Sequence, residues 1–185
     1  MALGLPGIGA TERHAERICR SYEHWTGKDL LAGEWAGVQV ETGVKAEKAA
    51  GEVSGAMLGP VSVPETSDSL ADKLFHSSIV VLSHGLEPDP ILNYGNAAAL
   101  ELWEMDWATF TQTPSRLTAE PLGREARERF MQQVRRDGYV AEYTGIRVSA
   151  TGRRFYIVDA LVWNLLDEDG APYGQAAAFA KTRDV

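Results

Sequence analysis

From residue 11 to residue 31 apolar side chains recur at helical spacing, with Ala15, Ile18, Cys19, Tyr22 and Trp25 on one side and Glu12, Arg13, Glu16, Arg17, Arg20 and Glu23 on the other. Steps of three and four residues bring the first group onto one face of an α-helix, so the pattern predicts an amphipathic helix that Gly27 stops. The period then fades. Residues 32–67 are rich in Gly, Ala, Val and Glu, carry Pro60 and Pro64 near their end, and alternate only briefly at Val38, Val40 and Val44. They read as a variable insert or linker spanning 32–68, because a structureless loop of that length is uncommon inside a packed domain.

After Asp68 a short helix through Leu70, Leu74 and Phe75 leads into a β-rich run at 79–83. Glu87, Pro88, Asp89 and Pro90 form a rigid turn, since each proline fixes its own φ and drives its predecessor out of the helical region. Residues 91–94 read as a second strand. Asn96 is placed to cap a helix at 97–104 that sets Leu100 and Trp103 on one face, and Asp106 caps a further turn carrying Trp107 and Phe110. In the stretch 123–137, Ala126, Phe130 and Val134 follow at four-residue steps beside Met131, and Gly138 stands where a helix-ending glycine belongs. Three β-segments close the chain at 140–148, 153–165 and 173–181, joined by turns at 149–152 and 167–170, the second ending in Asp-Gly. The expected fold is α+β: a five-stranded antiparallel sheet covered by helices at 69–185, preceded by an N-terminal helical extension at 1–31.

Composition narrows the function classes. The chain has 185 residues, 44% hydrophobic and 24% charged, the balance of a soluble domain with extensions. Its formal charge of -8 repels the phosphate backbone, so no nucleic-acid partner is expected. No apolar stretch approaches the roughly 20 residues of a membrane span, and the N-terminus has no basic targeting region, so no membrane contact and a cytoplasmic location are expected. Cys19 is the only cysteine, which excludes an intrachain disulfide or a thiolate zinc cluster. The four histidines lack metal-ligand spacing, and no metal site is expected.

Three long stretches carry a resemblance: HAERICRSYEHWTGKDLL at 14–31, VVLSHGLEPDPILNYGNAAALELWEMDWATFTQTPSRLTAEP at 80–121, and TGRRFYIVDALVWNLLDEDGAPYGQAAAF at 151–179. With the helix between the last two, they resemble the MEKHLA family, a PAS-like domain of plant homeodomain-leucine-zipper regulators that also occurs free-standing. The segment 34–68 does not match the family pattern. The resemblance implies a PAS-like fold and a sensing, regulatory or interaction role, without implying a ligand. Light-sensing flavin PAS domains carry a reactive cysteine in an Asn-Cys-Arg-Phe-Leu-Gln signature after the second strand. Here Cys19 lies upstream in the first helix, which excludes covalent flavin photochemistry.

The candidate binding residues are Asn93, Tyr94, Trp103, Phe110, Arg116, Phe130, Val134, Tyr143, Arg147, Phe155, Asp159 and Trp163. The aromatics among them, with Trp107, either fill a core or line a cavity between sheet and helices, and Ala176, Ala177, Ala178 and Ala180 leave room for either. Alternation puts Asp159 in one row with Phe155, Ile157, Leu161 and Trp163, an acid on an apolar face. We expect it to pair with Arg147, which shares a face with Tyr143 and Gly145, or with Arg116, closing the pocket. The opposite assignment turns Asp159 to solvent and makes Tyr156, Val158, Ala160 and Val162 the core face.

Ser83, His84 and Asp89 are close in sequence, but strand neighbours point to opposite faces, so Ser83 and His84 do not form a nucleophile–base pair. His76 or His84 as haem ligand is not expected, because the helix at 123–137 holds no histidine. The arginines at 124, 127, 129, 135 and 136 read as a solvated basic face. The leading expectation is a non-catalytic sensory module that binds a small apolar or aromatic ligand, a protein partner or both, with a homodimer through the N-terminal helix. The rival is an enzyme with a cone-shaped α+β fold using His84, Tyr143 and Asp159 for proton transfer.

Overall fold

Thr11, extended in backbone, accepts the His14 N–H on its Oγ1 at 3.2 Å and starts helix α1 (Glu12–Thr26), which Gly27 ends at φ 69° with its N–H on the Glu23 carbonyl. The computed structural model describes residues 8–32, 35, 69–120 and 124–185; all but residues 32 and 35 of the expected linker at 32–68, and the side chains of Arg124 and Arg127, lie outside the described residues. Helix α2 (Leu70–Phe75) is capped by Ser69, and the Glu12 carboxylate accepts its first two N–H groups, from Leu70 and Ala71, at 2.9 and 3.0 Å. One acidic side chain thereby fastens α2 to the start of α1.

The strands are β1 (Val80–His84), β2 (Leu92–Gly95), β3 (Tyr139–Val148), β4 (Arg154–Leu166), β5 (Pro172–Phe179) and β6 (Lys181–Asp184). Helices α3 (Ala97–Trp103), α4 (Trp107–Phe110) and α5 (Arg124–Asp137) separate β2 from β3. The sheet is antiparallel in the order β2-β1-β5-β4-β3. A break at Ala180 splits the last strand, so β5 pairs with Leu161–Leu166 of β4 and β6 with Phe155–Val158, and six segments fill the expected five positions.

Asn96 ties the first half together. Fully buried, it accepts the Ala99 N–H as the α3 cap and the Val81 N–H at 3.0 Å, and donates to the Ile79 carbonyl at 2.7 Å. Gly138, at φ 91°, ends α5 beneath the Trp25 ring, where an added Cβ would lie 2.3 Å from a ring carbon.

Both faces of the sheet are covered. On one, α1 and α2 bury Ile18, Tyr22 and Leu74 against Val81, Tyr94, Trp163, Leu165, Ala176 and Ala178, with Trp35 stacked at 6.0 Å from Tyr22. On the other, α3 and α4 bury Trp103 and Phe110 against Val80, Leu92, Phe155, Ile157, Ala160 and Phe179.

Strict alternation along β4 fails at one residue. Gly145 pairs with Ile157 and Tyr143 with Ala160, so Val158 and Asp159 stand opposite Thr144 alone. Asp159 takes φ 54°, the left-handed conformation of a bulge, and a second bulge on β3 puts Glu142 at φ 59°. The inward set becomes Phe155, Ile157, Ala160 and Val162, while Trp163 and Leu165 turn to α1. The expected row with Asp159, Leu161 and Trp163 beside Phe155 is therefore corrected: one extra residue exchanges the faces downstream of it.

Candidate functional site

Between the sheet and α5 the second face does not close. Leu82 on β1, Ile157 and Val162 on β4, and Ala177 and Phe179 on β5 form the floor of a cavity. Trp103, Phe130, Met131 and Tyr143 form its walls, with Ser115 and Thr118 from the turn Ser115–Thr118 beside them. The space open to water centres is about 50 Å³. Ala177 contributes little volume to the floor, and the two bulges bend β3 and β4 over it. Phe130 and Tyr143 stack at 4.1 Å and 31°, while Trp103 is fixed edge-on by Phe155 at 5.4 Å and by Phe110 and Phe179 at 6.2 Å.

Polar groups enter this apolar space at few points. The Trp103 Nε1 and the Gln175 Oε1 are buried without a hydrogen-bond partner among the described residues. The other end of Gln175 donates to Asn164 Oδ1 at 3.0 Å; Asn164 Nδ2 donates to the Val134 carbonyl near the end of α5 at 2.9 Å, and the Asn164 carbonyl accepts Trp25 Nε1 at 2.9 Å. The cavity wall is thus linked by consecutive hydrogen bonds to α5 and, through one β4 residue, to α1. His84 lines the cavity and holds the Gly85 carbonyl through Nδ1 at 2.8 Å. Arg147, half-buried, donates to the Ile146 carbonyl at 3.0 Å and to Tyr143 Oη at 3.3 Å.

Of the residues expected to bind, Trp103, Phe130, Tyr143 and Arg147 line the cavity. Phe110 and Phe155 are buried in the core around Trp103, and Val134 is buried on α5 outside the cavity lining. Asn93, Tyr94 and Trp163 belong to the α1 side: Asn93 through Ser83, Tyr94 through the His14 ring at 5.8 Å, and Trp163 edge-on to Tyr22 at 5.2 Å. The expected Asp159–arginine pair does not form. Asp159 is exposed at the bulge, and Arg116 pairs instead with Asp89 at 3.0 Å on the surface. Nor do His84, Tyr143 and Asp159 converge, because only the first two line the cavity. Sequence reasoning missed Gln175 and Met131 at the cavity; a glutamine in phase with Ala177 and Phe179 on an apolar strand was the available signal for the first.

Ser83 and His84 point to opposite faces, as alternation requires. Ser83 Oγ donates to Asn93 Oδ1 at 2.6 Å and stands 2.9 Å from His14 Nε2. With the hydroxyl proton on Asn93, the imidazole is the donor to Ser83, so its lone pair lies on Nδ1. Burial, then the nearby Arg17, lowers the His14 pKa to about 4, keeping the ring neutral at pH 7. This serine–histidine contact fastens α1 to the sheet and leaves the hydroxyl unactivated.

Cys19 lies on α1, across the sheet from the cavity, and burial pushes its thiol up to about 12. At roughly 10–15 Å³ per water-sized group the cavity holds only a few atoms, so a flavin ring system does not fit unless the Trp103 and Phe130 walls move. Among the described residues no group of His, Cys, Asp and Glu is arranged to hold a metal, and no helix is long and apolar enough to cross a membrane.

The MEKHLA domain matches residues 53–183. The match takes in 53–68, which the sequence alone did not align with the family, and begins after 14–31. Two rice proteins, the homeobox-leucine zipper protein HOX33 of Oryza sativa subsp. indica and of subsp. japonica, are 25% identical over 109 residues. That stretch is 59% of this chain and 13% of theirs. Among solved structures, the PAS domain of a protein from Colwellia psychrerythraea is 14% identical with a TM-score of 0.52, over 62% of this chain and 92% of that one. An RNA-binding light-oxygen-voltage receptor is 15% identical with a TM-score of 0.51, over 72% of this chain and 37% of that one. Likeness at these identities shows the PAS-like fold.

Proposed function

The chain belongs to the MEKHLA domain family, and from that premise we propose that it is a non-catalytic sensory or regulatory module: a small ligand enters the cavity beneath α5, and the change is passed through the sheet and α1 to a protein partner. The observation that carries this reading is the pairing of open space with orphaned polar atoms. Leaving a buried donor or acceptor unpaired costs about 1–3 kcal/mol, and Trp103 Nε1 and Gln175 Oε1 both belong to residues bordering the cavity described above. An occupant that reaches either of them recovers part of that energy. The route outward is the Gln175–Asn164 contact, since Asn164 also holds the end of α5 and Trp25 of α1.

The rival catalytic reading has less support, because Asp159 is on the outer surface and the Ser83 proton is directed at Asn93. A homodimer built on the apolar stripe of α1 would compete with the chain's own sheet for Ile18 and Tyr22; the exposed side of α1, with Arg13, Glu16, Arg20 and Glu23, is the surface left for a partner. Mass spectrometry of freshly purified protein tests the ligand. A mass excess under native conditions that vanishes on denaturation is the expected result. Equal masses in both, together with no thermal shift across a panel of small apolar acids, amides and alcohols, would overturn it.

A further inference from the structure

Of the eleven arginines whose side chains are described, seven stand against a carboxylate, and Arg20, Arg129 and Arg183, which do not, are exposed to solvent. Arg17 meets Glu168, Arg116 meets Asp89, Arg136 meets Asp137, and Arg154 meets Glu120. Arg147 is different. Its guanidinium lies 5.4 Å over the Tyr143 ring and reaches only neutral acceptors, the Ile146 carbonyl and Tyr143 Oη, and no carboxylate of the described residues pairs with it. A half-buried cation without a counter-charge favours an anion brought from outside. Tyr143 Oη accepts from Arg147, so its own hydrogen remains available to the same anion. The rest of the lining is mostly hydrocarbon: Leu82, Ile157, Val162 and Phe179.

We infer that this cavity takes a short-chain monocarboxylate, its carboxylate on Arg147 and Tyr143 and its hydrocarbon against Leu82, Ile157 and Phe179. The inference rests on the ligand reading above and names the chemistry of the occupant. Size sets the chain length. A space of about 50 Å³ admits only a few non-hydrogen atoms, which limits the occupant to the smallest monocarboxylates such as acetate and propionate. Entry is by a surface groove that shares His84, Met131 and Gln175 with the cavity and is bounded by Leu86 and Arg135. Met131, unbranched and held on α5, is the side chain that swings aside.

The test is calorimetric titration of the full chain at matched ionic strength with sodium propionate and with propionamide, which has the same shape and no charge. Propionate is expected to bind at least about ten-fold more tightly than the amide, a difference of about 1.4 kcal/mol, and Arg147→Gln to erase the difference while Arg147→Lys keeps part of it. Equal binding of the two probes by the native chain overturns the carboxylate inference and leaves the cavity reading standing. If neither probe binds, nor acetate or butyrate, the carboxylate inference falls, and the mass and thermal-shift test above decides the cavity reading separately. Should the Arg147→Gln chain fail to fold, nuclear magnetic resonance of the native chain decides: propionate must shift the Trp103 indole N–H and the Gln175 side-chain amide, and shifts confined to other regions overturn the inference.

Discussion

Aromatic side chains cover both faces of the sheet, and yet the two are built to different ends. On the α1 face, Tyr22, Trp35 and Trp163 stack in contact, alanines at 176 and 178 let the helix approach, and Arg17 locks the far end on Glu168 at 2.8 Å while its guanidinium covers Tyr173. On the α5 face, Phe130 and Tyr143 stack with each other and leave space behind them. Orphaned polar atoms occur on both: Trp163 Nε1 and Tyr94 Oη on the first, Trp103 Nε1 and Gln175 Oε1 on the second. The second pair belongs to residues lining a cavity, where an occupant can reach them. One face holds the module together, and the other keeps the space that the proposed ligand would fill.

That contrast is broken most directly at Trp163. It is fully buried, and truncation to Ala on a face without room to spare costs about 4 kcal/mol, within the usual range for buried tryptophan. Urea unfolding measures it; a loss below about 1 kcal/mol would mean that the α1 face is as loosely packed as the other.

A pH titration separates the faces next. The His14 pKa lies at about 4 in the folded chain against 6.5 unfolded, so between those values the unfolded state binds more protons and stability rises with pH. The contribution is complete above pH 6.5 and is lost as pH falls toward 4. It amounts to about 3 kcal/mol at 1.36 kcal/mol per unit. Hydrogen exchange at pH 5 should show α1 amides losing protection before those of α3, and His14→Gln should flatten the dependence. An unchanged pH profile in that variant would sever α1 docking from His14. On the cavity face, Met131→Ala is expected to cost about 2 kcal/mol, at the low end for a buried methionine because its neighbours already border open space. It should also speed ligand entry, read as a faster association rate in stopped flow.

Much of this architecture was legible in the chain. The helical period at 11–31, the capping asparagine at 96, the glycine stop at 138 and the Asp-Gly turn at 167–170 are local signals whose physics does not depend on the rest of the fold, and the succession of helices and strands along the chain followed from them, though the order of strands across the sheet did not. The site was legible only in part. Trp103, Phe130, Tyr143 and Arg147 were named and do meet at the cavity, whereas Trp163 and Tyr94 lie on the other side of the sheet and Gln175 was missed. The face of a β residue is read by counting in twos, and the count is valid only while no residue is inserted. Nothing in apolar alternation marks an insertion. The residue type does so weakly: aspartate is among the few side chains that visit the left-handed region readily, and an aspartate inside a strand of branched and aromatic residues is better read as a bulge than as a buried acid.

Asp159 therefore supplies the finest test of how the two faces came to differ. If the acid serves the backbone of the bulge, its charge is dispensable and its φ of 54° is not. Asp159→Gly, which adopts that angle without strain, should leave stability within about 1 kcal/mol of the native chain, and Asp159→Ala should lose up to about 1–2 kcal/mol through the left-handed strain alone. Asp159→Val should lose more than Ala, because branching at Cβ makes the same angle harder to reach. The order Gly, Ala, Val in thermal unfolding is the signature of a backbone role. An acid closing the cavity against Arg147 gives a different result: all three substitutions would strip a half-buried guanidinium of its partner and fall together by several kcal/mol, and the carboxylate site proposed for Arg147 would already be occupied from within the chain.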